Sequence, residues 1–272
     1  MKIFKQAGKS PAQKEWEALC RKEQQFLEQR GSKKETAWNR MLSEKVPDKL
    51  QHTLNAAFEK AFAVILEKGL SGIEKTYRKD EMEKDFQIHL YADEIRKSRK
   101  SLKAFSKKAG QAGNANLALS GMSGIGMGLV GVGLPDIPIF TTMLFRCVYE
   151  IALCYGFEYE SEQEKYFILL LIEGAVSYGE HLMETDRKIE SYMENPCAPE
   201  KDILAAQITS TSKMLSGELL YMKFLQGIPI VGAIGGAYDV VYMKQISEYA
   251  KIKYKKRFLM KYKAEELEHI RK

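Results

Sequence analysis

The side chains able to carry acid–base or metal chemistry are few and scattered along this 272-residue chain. Histidine occurs at His52, His89, His181 and His269. His89 and Asp93 stand four residues apart, a spacing that puts both side chains on one helix face. Glu180, His181 and Glu184 cluster together, with Glu173 two helical turns earlier. Such groups serve as metal ligands or as proton donors and acceptors. No HExxH pairs them, and carboxylates at helical spacing are most often solvated. No catalytic, cofactor-binding or metal constellation is therefore expected. Asp136, between Pro135 and Pro138 in LPDIP, reads as a helix N-cap whose carboxylate accepts backbone N–H bonds. Asp239, a lone acid in an apolar stretch, reads as a buried polar contact. Convergence of Asp136, Asp239, Glu173 or His181 on one cavity would instead mark a hydrolase or lipid-processing enzyme, the alternative reading.

The elements that must position these residues are helices. Residues 12–30 form a charged helix with Trp16, Leu19, Cys20 and Phe26 along one stripe. A second helix starts near Pro47, where Leu50, Leu54, Ala57, Phe58, Ala61 and Ile65 follow helical spacing, and Gly69 ends it. Helical patterns then cover 80–108, 140–155 and 161–184. A long helix opens at Pro199, and a basic one closes the chain. No period-2 strand pattern occurs. The expected fold is all-α, a multi-helix bundle with two Gly-rich apolar helices packed in its centre. Residues 1–45 would supply charged N-terminal helices and 46–272 the main helical domain, the two forming one continuous domain from about residue 14.

The Gly-rich stretches set this chain apart. Between Lys108 and Asp136 lie 27 uncharged residues, eight of them glycine. Gly121, Gly124, Gly128 and Gly131 are spaced three, four and three, so they share one helix face. Each interior glycine costs a helix about 0.8–1 kcal/mol relative to alanine, which close backbone packing can offset. Gly232 and Gly236 repeat the spacing in GIPIVGAIGGAY, so the two faces are expected to form a close-packed internal seam. A membrane span or a partly inserted hairpin is the alternative to this seam; against a span, the apolar part of the first stretch, Ile125–Leu134, is short and the prolines of LPDIP break it, while the second has 15 uncharged residues against the ~17–25 of a usual span. GMGLVG also fits GxGxxG, but no strand precedes it, so it is not a dinucleotide loop.

Charge is distributed unevenly. Residues 1–110 carry 25 Lys/Arg against 16 Asp/Glu, residues 111–245 carry 8 against 16, and residues 246–272 carry 9 against 4. Basic flanks around an acidic middle suit an anionic membrane surface, and Lys251, Lys255, Lys256 and Arg257 on the last helix are the membrane-facing candidates. Nucleic acid is not favoured, because no reader motif accompanies the basic residues. Cys20, Cys147, Cys154 and Cys197 form neither a CxxC pair nor a disulfide framework, and Cys147 and Cys154 read as small buried hydrophobes. The N-terminus lacks the apolar core of a signal peptide. The expected location is cytoplasmic, peripheral at the inner face of the cell membrane.

Four segments carry a family resemblance in order: VPDKLQHTLNAAFEKAFAVILEKG, GMSGIGMGLVGVGLPDIP, FRCVYEIALCYGFEY and IPIVGAIGGAYDVVYMKQISEYAKIKYKKRFL. Together they resemble the EcsC family, from about Trp16 to the last helix, with LPDIP and IPIVGAIGGA the most specific parts. Proteins of this kind are named from bacterial operons that also encode an ABC-transporter ATPase and its membrane subunit, and that are associated with protein secretion. The resemblance implies a non-catalytic accessory or interaction protein, acting at the cytoplasmic membrane, with ABC transporter subunits as partners. It carries over no catalytic residue and no cofactor.

Overall fold

Ser10 starts the first helix, α1 (Pro11–Gly31), with a capping box: its hydroxyl accepts from the Gln13 backbone N–H, and the Gln13 side chain accepts from the Ser10 N–H. Pro11 fits the first helical position because its missing N–H would have no partner there. The computed structural model describes residues 9–32, 48–128, 137–226 and 237–271. The remaining helices are α2 (Asp48–Val64), continuing through a π-helical turn (Ile65–Gly69) into α3 (Leu70–Glu74), then α4 (Lys79–Arg96), α5 (Arg99–Gly128) and α6 (Ile137–Cys154). They are followed by α7 (Glu162–Val176), α8 (Gly179–Glu194), α9 (Lys201–Gln226) and α10 (Ala237–Arg271). Among the described residues there is no strand, so the chain is an all-α multi-helix bundle.

Two helical runs in the sequence are interrupted. The 80–108 pattern breaks after α4, where Lys97 adopts left-handed φ 41° and Ser98 begins the turn into α5. The 161–184 pattern breaks at Ser177 and Tyr178, and Gly179 follows with φ 60°. Periodicity persists through both points, because a tight turn leaves the apolar spacing of its flanks intact.

The described centre is α6 and α7. On α6, Leu144, Phe145, Val148, Tyr149, Ile151 and Ala152 are fully buried, and Phe167–Ile172 are buried in sequence on α7. A helix apolar all round belongs in such a core. α6 is also the one described helix long and apolar enough to cross a membrane, with mean hydropathy 1.5, yet 72% of that window is buried inside the bundle. Edge-to-face aromatic pairs, Phe58–Phe140 and Phe62–Phe145, join α2 to α6. Phe86, Phe105 and Phe258 join α4, α5 and α10. Losing one such ring costs a core about 3–5 kcal/mol.

The expected glycine seam falls largely outside the described residues: Gly131, Gly232 and Gly236 are not among them, nor is Asp136. Gly121, Gly124 and Gly128 lie along the C-terminal third of α5, and Asp239 in the first turn of α10. Close approach through a glycine is seen elsewhere. A Cβ on Gly174 of α7 would stand 2.9 Å from the Tyr249 ring of α10, so the missing side chain makes room for that ring.

Candidate functional site

Of the residues selected for chemistry, Glu173 and His181 meet. His181 Nε2 donates to Glu173 Oε1 at 2.9 Å, across the break between α7 and α8. Three more donors reach the same buried carboxylate from α9: Gln207 Nε2 at 2.5 Å, Ser210 Oγ at 3.0 Å and Thr211 Oγ1 at 3.2 Å. In a nucleophilic triad the hydroxyl bonds the imidazole, which then takes its proton. Here Ser210 bonds the carboxylate directly, so the imidazole does not activate it. Glu173 of α7 is a hub that satisfies donors of α8 and α9. Glu180 and Glu184 are exposed, and His52 is exposed on α2. His89 does not pair with Asp93. Its Nδ1 bonds the Asp85 carbonyl at 2.6 Å, while Asp93 accepts from Ser101 Oγ.

The basic run of α10 is turned inward, contrary to its expected membrane-facing role. Lys255 Nζ reaches Glu15 at 2.7 Å, and Lys256 Nζ reaches Glu23 at 2.7 Å and Glu190 at 2.8 Å. Arg257 makes a two-pronged bond to Glu164, at 2.7 and 2.9 Å, with its guanidinium 4.2 Å from the centres of both the Phe157 and Phe167 rings. Lys251 is half-buried with no ion pair among the described residues. Burial, with the charge of Lys22, holds its pKa below the ordinary lysine value. The local pattern reads as a cationic stripe, because its acidic partners come from α1, α7 and α8, far away in sequence.

Between these pairs lies Lys253, whose side chain is 0% exposed. Its Nζ contacts Glu23 at 2.5 Å, Asp186 at 2.6 Å and Glu190 at 2.5 Å. Tyr249 also donates to Asp186, at 2.5 Å. The three carboxylates are close enough to ligate one cation, all offering oxygens within 4.8 Å of one another. The ammonium of Lys253 already occupies that position, so the cluster joins α1, α8 and α10 through an internal cation.

Unspent polar and apolar surface lies instead on the α4–α5 hairpin. Ile88, Tyr91 and Ile95 are 63%, 67% and 67% exposed, spaced three and four apart on the outer face of α4. The opposite face, through Met82, Phe86 and Leu90, packs on the core. Lys100, Lys103 and Lys107 repeat the same spacing on α5, all exposed and without ion pairs among the described residues. Arg96 and Lys97 at the turn are likewise exposed. The sequence signal was present, since α4 carries more apolar positions than one buried stripe needs. Beneath the hairpin, α4, α5 and α6 line a cavity of about 290 Å³ that is half open to solvent. Met82, Phe86, Phe105 and Cys154 form its apolar lining, with Asp85, His89, Lys108, Gln111 and Glu150 as its polar groups.

The EcsC family model matches residues 11–259, nearly the whole chain. The chain belongs to the EcsC protein family. No curated protein and no solved structure gave a significant match. EcsC membership thus covers every cluster described above, from Glu15 on α1 to Arg257 on α10. It spans the α4–α5 hairpin and its cavity as well.

Proposed function

We propose that this EcsC-family chain is a non-catalytic accessory module, held peripherally on the inner face of the cytoplasmic membrane and serving an ABC transporter or secretion system. The observation that carries the reading is the α4–α5 hairpin, where the exposed stripe Ile88–Tyr91–Ile95 accompanies the exposed row Lys100–Lys103–Lys107. Apolar side chains beside basic ones bind an anionic bilayer surface by two additive terms, burial at the headgroup boundary and electrostatic attraction. Near such a surface each lysine contributes about 1 kcal/mol. Lys255, Lys256 and Arg257 of α10 add little, because their charges are spent on buried carboxylates. The non-catalytic part of the reading is supported by Glu173, whose donors leave no activated hydroxyl at His181.

Cell fractionation tests the proposal. The expected result is a membrane-bound fraction released by high salt. Full solubility in gentle lysates, or release only by detergent, overturns peripheral binding.

A further inference from the structure

We infer that the cavity between α4, α5 and α6 is a binding site for an uncharged single-chain amphiphile with a hydroxyl head. At about 290 Å³ it lies near the lower end of ligand pockets. At the ~30 Å³ that one water takes up in the liquid, it holds roughly ten heavy atoms. Its apolar wall of Met82, Phe86 and Phe105 suits a short hydrocarbon tail.

The head group follows from which polar atoms are already used. Lys108 Nζ is paired with Asp85 at 2.6 Å, linking α5 to α4. Glu150 accepts from Arg146 Nε at 2.8 Å and from Asn116 Nδ2 at 3.0 Å. Every charge on the lining therefore has its counter-charge. A charged head would find no free counter-charge on the lining and would have to compete with the half-exposed Lys108–Asp85 pair for one.

Two lining groups have no protein partner among the described residues: His89 Nε2 and the exposed Gln111 amide. The Asp85 carbonyl can only accept, so His89 Nδ1 carries the proton of that bond. In the neutral ring, Nε2 is then an acceptor. A hydroxyl suits either group, since it can donate to His89 Nε2 or accept from the Gln111 amide.

Titration calorimetry on the full chain tests this with 1-nonanol, nonanoate and nonylamine. The expected result is one saturable site for nonanol, at least roughly tenfold tighter than for either charged analogue. His89→Phe, which removes the acceptor and keeps a ring, should weaken nonanol roughly tenfold, the worth of one hydrogen bond. Ala112→Leu, which fills the cavity, should abolish binding. Ala115→Leu does the same from an exposed position if the first variant misfolds. Equal or tighter binding of a charged analogue overturns the head-group assignment, as does full nonanol affinity in His89→Phe. Absence of nonanol binding, or its survival in the filled variants, overturns the site.

Discussion

The Lys253 ammonium of α10 stands 2.5 Å from the Glu23 carboxylate of α1, joining the first described helix to the last in the interior of the bundle. Asp186 and Glu190 complete the contact from α8. Replacing the lysine leaves three carboxylates facing one another without it. Lys253→Met is expected to destabilise the fold by about 3–5 kcal/mol, the usual loss when one partner of a buried pair is removed. Urea unfolding with an unchanged m-value measures it.

The same pairs set the pH response. Burial opposes ionisation of Glu190, but the charges and hydrogen bonds of Lys253 and Lys256 outweigh it and hold its pKa below the ordinary 4.5. Burial likewise opposes the charge on Glu15, which Lys255 and Arg99 outweigh, and on Glu74, which Lys79 and Tyr159 outweigh. A depressed carboxylate contributes stability above its unfolded pKa and loses it as pH falls through its folded value. Lys253 is raised above 10.5 against the opposing effect of burial, so its contribution is complete below that pH. The urea midpoint should stay level between about pH 6 and 9 and fall below about 4.5, with Glu190→Gln flattening the fall.

Backbone conformation gives two substitutions of opposite sign. Gly156 has φ 76°, and a Cβ there would overlap the Phe86 ring. Gly156→Ala should cost about 2–4 kcal/mol, from left-handed strain plus overpacking. Lys97 adopts φ 41° at the end of α4, where glycine fits without a Cβ penalty. Lys97→Gly should gain about 0.5–1 kcal/mol. Thermal melts of the two variants should shift in opposite directions.

Thiol labelling reads the core directly. Burial pushes Cys147 and Cys154 up to about 12, whereas Cys197 is exposed and Cys20 half-buried. A thiol reagent at pH 8 should modify Cys197 first and Cys20 slowly. Cys147 and Cys154 should react only after denaturation.

Local periodicity made several of these features legible in the sequence. The spacing of Leu54, Phe58 and Ile65 put them on one face of α2 and the π-helical turn that continues it, and all three are buried. Arg146 and Glu150, four residues apart on α6, form an ion pair at 2.8 Å of the kind that helical spacing favours. Cys147 and Cys154 are buried as their spacing implied. What local spacing cannot encode is pairing between distant segments. KIKYKKR looks like a cationic surface until Glu15, Glu23 and Glu164 arrive from other helices to neutralise it. The same limit concealed the Glu173 hub, since Gln207, Ser210 and Thr211 belong to a helix beyond the proline break. It also concealed the α4–α5–α6 cavity, whose lining is drawn from three helices. The stripe Ile88–Tyr91–Ile95 was visible as residues, but only packing reveals which of the two apolar faces of α4 the core uses.

Vesicle cosedimentation tests the proposed membrane role most directly. The wild-type chain should bind phosphatidylglycerol vesicles at low salt, bind phosphatidylcholine vesicles weakly, and dissociate as salt screens the lysines. Lys100→Glu/Lys103→Glu/Lys107→Glu should lose roughly 100-fold or more in affinity, from about 1 kcal/mol per lysine. Ile88→Ser/Tyr91→Ser/Ile95→Ser should leave a weak, wholly salt-sensitive remnant. Wild-type binding in both triple variants, or none to anionic vesicles by the unaltered protein, would contradict the account.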